Sequence, residues 1–363
     1  MKIRTHLESL PAYTPIEPFE VLSARIGRSP DQIVKLDANE NPYGPLPVVR
    51  AALGKMEFPH IYPDPESRAL RKSLAKFTGV DEEYLLAGQG ADELIDLLMR
   101  VFLDPNDCIL SCPPTFGMYS FDAELNAAGC IEVPRRADFS LDMEGIRKAV
   151  ETHQPKLFFI TSPNNPDGSL IDSKTMDELL SLPTLIVLDE AYIEFAGDDL
   201  GANLSRIREV PMRENLIVLR TFSKWAGLAG LRIGYGVFPL WLMPTLWKSK
   251  QPYNVNVAAS IAAQVSLEHT DELKKVVELL KEERARLFKA LQEIPYIKPY
   301  PTQSNFILCQ VVGRDAAELK ARLAQEHGVF IRYFNKPGLR DHIRISVGRP
   351  QDTDVLLDAL GKL

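Results

Sequence analysis

The chain has 363 residues, of which 45% are hydrophobic and 25% charged, and its formal net charge is −7. That length suits about two domains with sizeable cores, and the acidic balance argues against non-specific binding to nucleic acid or to an anionic membrane. No apolar run approaches the roughly 18 residues of a membrane span.

The start, Met1-Lys2-Ile3-Arg4-Thr5-His6, lacks the apolar stretch of a secretion signal. The cysteines (Cys108, Cys112, Cys130, Cys309) show no metal spacing, and the histidines are scattered. Reduced thiols, a cytoplasmic location and no structural metal are therefore expected. Residues 1–35 are rich in proline (Pro11, Pro15, Pro18, Pro30) and predict an irregular arm. The stretch Leu36-Asp37-Ala38-Asn39-Glu40-Asn41-Pro42-Tyr43-Gly44-Pro45 is turn chemistry.

From about residue 66 helical periodicity alternates with short apolar runs. The runs are Tyr84–Ala87, Cys108–Leu110, Cys130–Val133, Leu157–Ile160, Leu185–Leu188, Leu216–Leu219 and Ile233–Val237. Such runs mean strands buried on both faces, hence a mostly parallel sheet flanked by helices in an α/β protein. After about residue 240 the pattern changes. A helical stretch over 255–293, runs at 306–308, 329–331 and 343–347, and helices near 315–327 and from 352 predict a smaller α/β unit. The expected division is an arm over 1–35, a large domain over 36–250 and a small C-terminal domain over 251–363.

Five polar clusters follow strands of the large unit, where open α/β sheets bind ligands. Gly88-Gln89-Gly90-Ala91-Asp92-Glu93 opens a helix whose free N–H groups suit a phosphate, or is a plain tight turn. It is neither a dinucleotide fingerprint nor a P-loop. Phe116, in Pro113-Pro114-Thr115-Phe116-Gly117-Met118-Tyr119, stacks on a flat ligand or belongs to the core. Asn165, in Thr161–Gly168, can donate to a ligand oxygen. Asp189 ends a buried strand, with Tyr192 close behind; it suits a protonated ring nitrogen, or caps a helix. Lys224, in Arg220–Gly234, is placed as an amine nucleophile, and Arg232 as a phosphate clamp. Together these supply the needs of pyridoxal 5′-phosphate: an anion cradle, a stacking ring, an oxygen donor, a carboxylate and an amine.

The ordered set Asn165-Pro166-Asp167-Gly168, Asp189-Glu190-Ala191-Tyr192 and Ser223-Lys224 through Arg232 resembles the fold-type-I aminotransferases over about residues 10–360. With Leu36–Pro42, Tyr62-Pro63-Asp64 and Pro113–Tyr119, the chain is similar to their histidinol-phosphate branch. The resemblance implies a cofactor-binding large domain, a small domain and an N-terminal arm. It implies that Lys224 carries pyridoxal phosphate as a Schiff base and moves the proton, and that Asp189 pairs with the ring nitrogen. Asn165 and Tyr192 would hold the phenolic oxygen, and Phe116 the ring face; relatives commonly have tyrosine there. Ala91, Asp92, Ser223 and Arg232 would hold the phosphate, and Tyr62 would reach it from the partner in a homodimer with a composite site. Tyr13, Asn39, Arg332 and Arg344 would meet the substrates, histidinol phosphate and glutamate or 2-oxoglutarate, in histidine biosynthesis. The alternatives on the same scaffold are an aromatic-amino-acid aminotransferase and a threonine-phosphate decarboxylase. A non-catalytic regulator would need a DNA-binding domain that some 35 irregular residues cannot supply.

Overall fold

The computed structural model describes residues 2–11 and 17–363. Its strands are β1 (Val34–Leu36), β2 (Leu85–Gly88), β3 (Cys108–Ser111), β4 (Gly129–Glu132), β5 (Leu157–Thr161), β6 (Leu185–Asp189), β7 (Leu216–Thr221), β8 (Gly234–Val237), β9 (Ile297–Pro299), β10 (Phe306–Val311), β11 (Val329–Tyr333) and β12 (His342–Ser346).

The larger sheet has the order β2-β8-β7-β6-β5-β3-β4. All its neighbours are parallel except β8, which runs against both β2 and β7. Every residue of β5, β6 and β7 is buried, because helices cover both faces. The pleat sorts the side chains. Phe158, Ile160, Ile186 and Leu188 enter one core, and Leu157, Phe159, Leu185 and Val187 the other. Each apolar run read from this part of the sequence falls on one of these strands.

The smaller sheet has the order β1-β11-β12-β10-β9; β1 is parallel to β11, and the other pairs are antiparallel. Two of its strands are short and were not expected. Val34 pairs with Val329, a partner no local pattern announces.

The arm is not wholly irregular. The window between Pro18 and Pro30 is free of proline and forms the helix Phe19–Ile26, closed by Gly27 at φ 67°. Leu22 anchors it by packing with Ile33, Ala324 and Phe330 of the small unit. The stretch 255–293 divides at His269 into the helices Val257–Glu268 and Thr270–Gln292. The first of these packs on the helices Pro47–Leu53 and Arg68–Thr78, and its Ala259, Ala262 and Ala263 enter the large core. The helix Phe19–Ile26 thus packs on the small unit and the helix Val257–Glu268 on the large one, each beyond the boundary drawn for it at residue 35 or 250, and that division stays a proposal about folding units.

Candidate active site

The C-terminal ends of β5, β6 and β7 bring Thr161, Asp189 and Thr221 to the lining of a cavity of about 550 Å³, with Thr161 in register with Asp189. The same cavity is lined by Ala91, Asp92, Phe116, Asn165, Tyr192, Ser223, Lys224 and Arg232. Each cofactor-site residue expected from the sequence therefore lies on this one surface, except Tyr62.

Strand alternation separates two neighbouring acids. Glu190 is engaged by Arg220 (3.0 Å), the Ser205 hydroxyl and the Arg206 amide (2.8 Å). Asp189 is 4% exposed and has no cation partner among the described residues. Burial pushes its carboxyl up to about 6, reinforced by the fields of Asp92 and Glu190. Two donors oppose this: the Tyr119 hydroxyl at 2.7 Å and the Ala191 amide at 3.0 Å. A buried acceptor without a cation is costly alone and suits a cationic ligand atom.

Lys224 follows β7 and is half-buried. Its Nζ donates to the Ala38 carbonyl at 3.2 Å and stands 6.0 Å from the Tyr192 ring centroid. The Tyr192 hydroxyl accepts from Asn39 Nδ2 at 3.0 Å, which leaves its own proton to be donated. Asn165 Oδ1 accepts from Arg344 at 2.6 Å. A guanidinium has only donors, so the amide of Asn165 presents its NH₂ elsewhere.

The start of the helix Gly90–Phe102 and Arg232 line another part of the cavity, with the kind of donors an anion would need. Gly90 starts the helix Gly90–Phe102 at φ 78°, and a Cβ there would stand 2.7 Å from Arg232 Nη2. A Cβ on Gly234 would meet Gly90 C at 2.6 Å and Ala91 N at 2.7 Å. These glycines let the helix start, β8 and Arg232 approach closely. Arg232 reaches Asp92 at 2.7 Å and Ser223 Oγ at 3.4 Å. The Asp92–Arg232 pair is about half exposed, so it holds the arginine weakly and can yield it to a phosphate.

The substrate positions divide. Arg344 is buried; it bonds the Asp37 carbonyl at 2.9 Å as well as Asn165, with its guanidinium over Phe306 and Phe334. Arg332 lies opposite it across β11 and β12 and lines a neighbouring cavity of about 930 Å³. Asn39 is instead 1% exposed and does not line the site. Held at φ 55°, it exchanges hydrogen bonds with Ser346 and gives its carbonyl to Asn305, so its work is to fix Tyr192 against the small sheet. Tyr62 is 80% exposed and stacks on Tyr253 at 4.7 Å, away from its own cavity. Tyr13 lies outside the described residues. Tyr119 and Thr161 carried no role in the sequence reading. The only hint was an aromatic one helical turn after Phe116, whose ring it meets edge-on at 5.6 Å. Among the described residues no group of His, Cys, Asp and Glu is arranged to hold a metal, and the four cysteines form no disulfide.

The donor set is a buried carboxylate, a flat ring, an amine and a glycine-lined phosphate cradle, and it fits pyridoxal phosphate. The profile of aminotransferase class I and II matches residues 31–360, and the chain belongs to that family, in its histidinol-phosphate branch. It is 57% identical over 359 residues to the chloroplastic histidinol-phosphate aminotransferase of Nicotiana tabacum, covering 99% of this chain and 86% of that one. The histidinol-phosphate aminotransferase of Roseiflexus castenholzii is 50% identical, with 99% and 97% covered. Among solved structures, the histidinol-phosphate aminotransferase of Sinorhizobium meliloti, crystallised with pyridoxal-5′-phosphate, superposes with TM-score 0.90 at 29% identity, covering 99% and 97%. L-threonine-O-3-phosphate decarboxylase of Porphyromonas gingivalis gives TM-score 0.80 at 25% identity.

Proposed function

We propose that the protein is a histidinol-phosphate aminotransferase: with pyridoxal phosphate it moves the amino group of histidinol phosphate to 2-oxoglutarate, giving imidazole acetol phosphate and glutamate in histidine biosynthesis. The observation that carries this is that the Asp189 carboxylate, ending β6, and the Lys224 amine, following β7, line one cavity together with Ala91, Asp92 and Arg232. When bound, the cofactor supplies an electron sink for the charge left when the substrate Cα loses its proton.

The chain's own groups do the rest. Lys224 Nζ, once it leaves the Ala38 carbonyl, is the base that takes the Cα proton and later returns it. Asp189 stays anionic against a cationic ring nitrogen. Asn165 and Tyr192 donate to the phenolic oxygen, and Phe116 covers the ring. The helix start at Ala91 and Asp92, with Ser223 and Arg232, holds the phosphate. Arg344 and Arg332 present planar forks that match both a carboxylate and a phosphate, so one pair serves glutamate and histidinol phosphate in turn.

We also propose a homodimer in which Tyr62 of one subunit completes the site of the other. The support is the 80% exposure of its ring on a face that includes Phe58, Ile61 and Tyr253. For the compartment, a cytoplasmic location is the proposal; plant relatives are named chloroplastic, and fractionation of source cells distinguishes the two. No helix among the described residues is long and apolar enough to cross a membrane.

The test is a steady-state panel of amino donors: histidinol phosphate, phenylalanine, tyrosine and phosphothreonine. The highest kcat/KM is expected for histidinol phosphate. Preference for phenylalanine, or carbon dioxide released from phosphothreonine, would overturn the substrate reading.

A further inference from the structure

Asp189 stands at one end of a series of hydrogen bonds that the reaction does not itself require. Tyr119 Oη lies 2.7 Å from Asp189 Oδ2 and 3.0 Å from Thr161 Oγ1. Thr161 Oγ1 lies 3.2 Å from Thr115 Oγ1, which lies 3.0 Å from Asn164 Oδ1. Asn164 is buried, and its NH₂ is committed to the Pro114 carbonyl (3.1 Å) and the Asp167 carboxylate. Its Oδ1 can therefore only accept.

Proton counting decides how the series behaves. Three hydroxyls bring three protons to four links. When Asp189 is protonated it adds a fourth, and every link is filled, all pointing toward Asn164. When Asp189 is ionised both ends can only accept, so the hydroxyls turn outward and one interior link goes without a proton. The hydroxyls rotate freely about their C–O bonds, so the series can adopt either arrangement. The Tyr119 ring itself cannot drift. It is fully buried, stacked on Phe159 at 4.9 Å and met by Phe116 at 5.6 Å.

We propose that Tyr119, backed by Thr161 and Thr115, is a positioning residue that turns its donor onto the Asp189 carboxylate when a cationic ring nitrogen occupies the cavity. It holds the acid ionised and aimed, and when the cavity lacks that cation it lets the acid take up a proton, and with it the fully bonded arrangement, as the pH falls. This rests on the proposed cofactor reading of the site. The direction agrees with the opposing influences on Asp189, where burial raises its carboxyl and the Tyr119 and Ala191 donors lower it. The other charged groups facing it are Asp92, from the helix Gly90–Phe102, its chain neighbour Glu190, and Lys224 and Arg232 across the cavity. The substitutions below leave all of these in place.

The test compares Tyr119→Phe, Thr161→Val and Thr161→Ser. In the cofactor-free protein the Asp189 carboxyl is followed by carbon-13 NMR and assigned with Asp189→Asn. A donor to an ionised carboxylate strengthens the charged form. Its midpoint is expected to rise by about one pH unit in Tyr119→Phe and by less in Thr161→Val, and to return to the wild-type value in Thr161→Ser. In parallel, Tyr119→Phe is expected to weaken pyridoxal-phosphate affinity about fivefold near pH 6, about twofold at pH 7 and hardly at pH ~9, and to lower kcat with KM for glutamate unchanged. An Asp189 midpoint unmoved by Tyr119→Phe overturns the proposal. Should that variant fail to fold, the near-isosteric Thr161→Val decides on the same midpoint. If wild-type protein fails to bind pyridoxal phosphate, the functional reading is what falls; the cofactor-free titration still judges Tyr119.

Discussion

Asp189→Asn is expected to stabilise the cofactor-free protein while disabling it. The carboxyl rises from an ordinary 3.8 to about 6 on folding, because it is buried without a cation. The folded state therefore binds the proton more tightly than the unfolded chain. Stability contributed by that proton is present below about pH 4 and is lost as pH rises through about 6. A rise of about two pH units corresponds to about 3 kcal/mol for an isolated group. The amide carries no charge and escapes this cost, but it is a poorer acceptor for Tyr119 and Ala191, which returns about 1 kcal/mol. The net gain is about 2 kcal/mol at pH 8, turning into a loss of about 1 kcal/mol below about pH 4. Urea unfolding of the cofactor-free proteins at several pH values measures it, with the slope unchanged. Transamination should fall by on the order of 10²-fold or more, since the ring nitrogen loses its anionic partner. Equal stability of variant and wild type at pH 8, or a variant less stable there than at pH 4 relative to wild type, would refute the reasoning.

Other expectations are as direct. Gly90→Ala places a Cβ 2.7 Å from the Arg232 guanidinium at φ 78°, so it should cost about 1 kcal/mol of stability and weaken cofactor affinity more than tenfold, read by equilibrium titration. Arg344→Lys keeps the charge but loses the fork that spans Asn165 and Asp37; KM for glutamate should rise about tenfold, with a smaller change in kcat. If the site is shared between subunits, Lys224→Ala and Tyr62→Ala should each be nearly inactive, and dissociating and reassociating them together should restore part of the activity. No recovery on mixing would sink the composite site.

What the sequence made legible follows from where polar residues are improbable. Asp189 and Lys224 stood out because each closes or follows a run of buried apolar residues, where a charge needs a reason. The strands of the large sheet were readable for the same cause, since burial on both faces leaves a continuous apolar run. The small sheet was less so. Val34–Leu36 is three residues long and owes its strand character to Val329 far along the chain. The helix Phe19–Ile26 was hidden by prolines on either side, and depends on Leu22 meeting Phe330. Roles that depend on three-dimensional neighbours were the hardest. Asn39 was placed at the substrate by the resemblance alone; its backbone at φ 55° and its bonds to Ser346 and Tyr192 make it a buried brace. Tyr119 was indistinguishable from a core aromatic until its hydroxyl was seen against Asp189.

The central claim is that one particular amine holds the cofactor. Borohydride reduction of the yellow holoenzyme, followed by proteolysis and mass mapping, fixes the cofactor to whichever lysine carries it. The expected product is a single modified peptide bearing the label on Lys224. Label on another lysine, or an unmodified Lys224 after complete bleaching, would contradict the assignment.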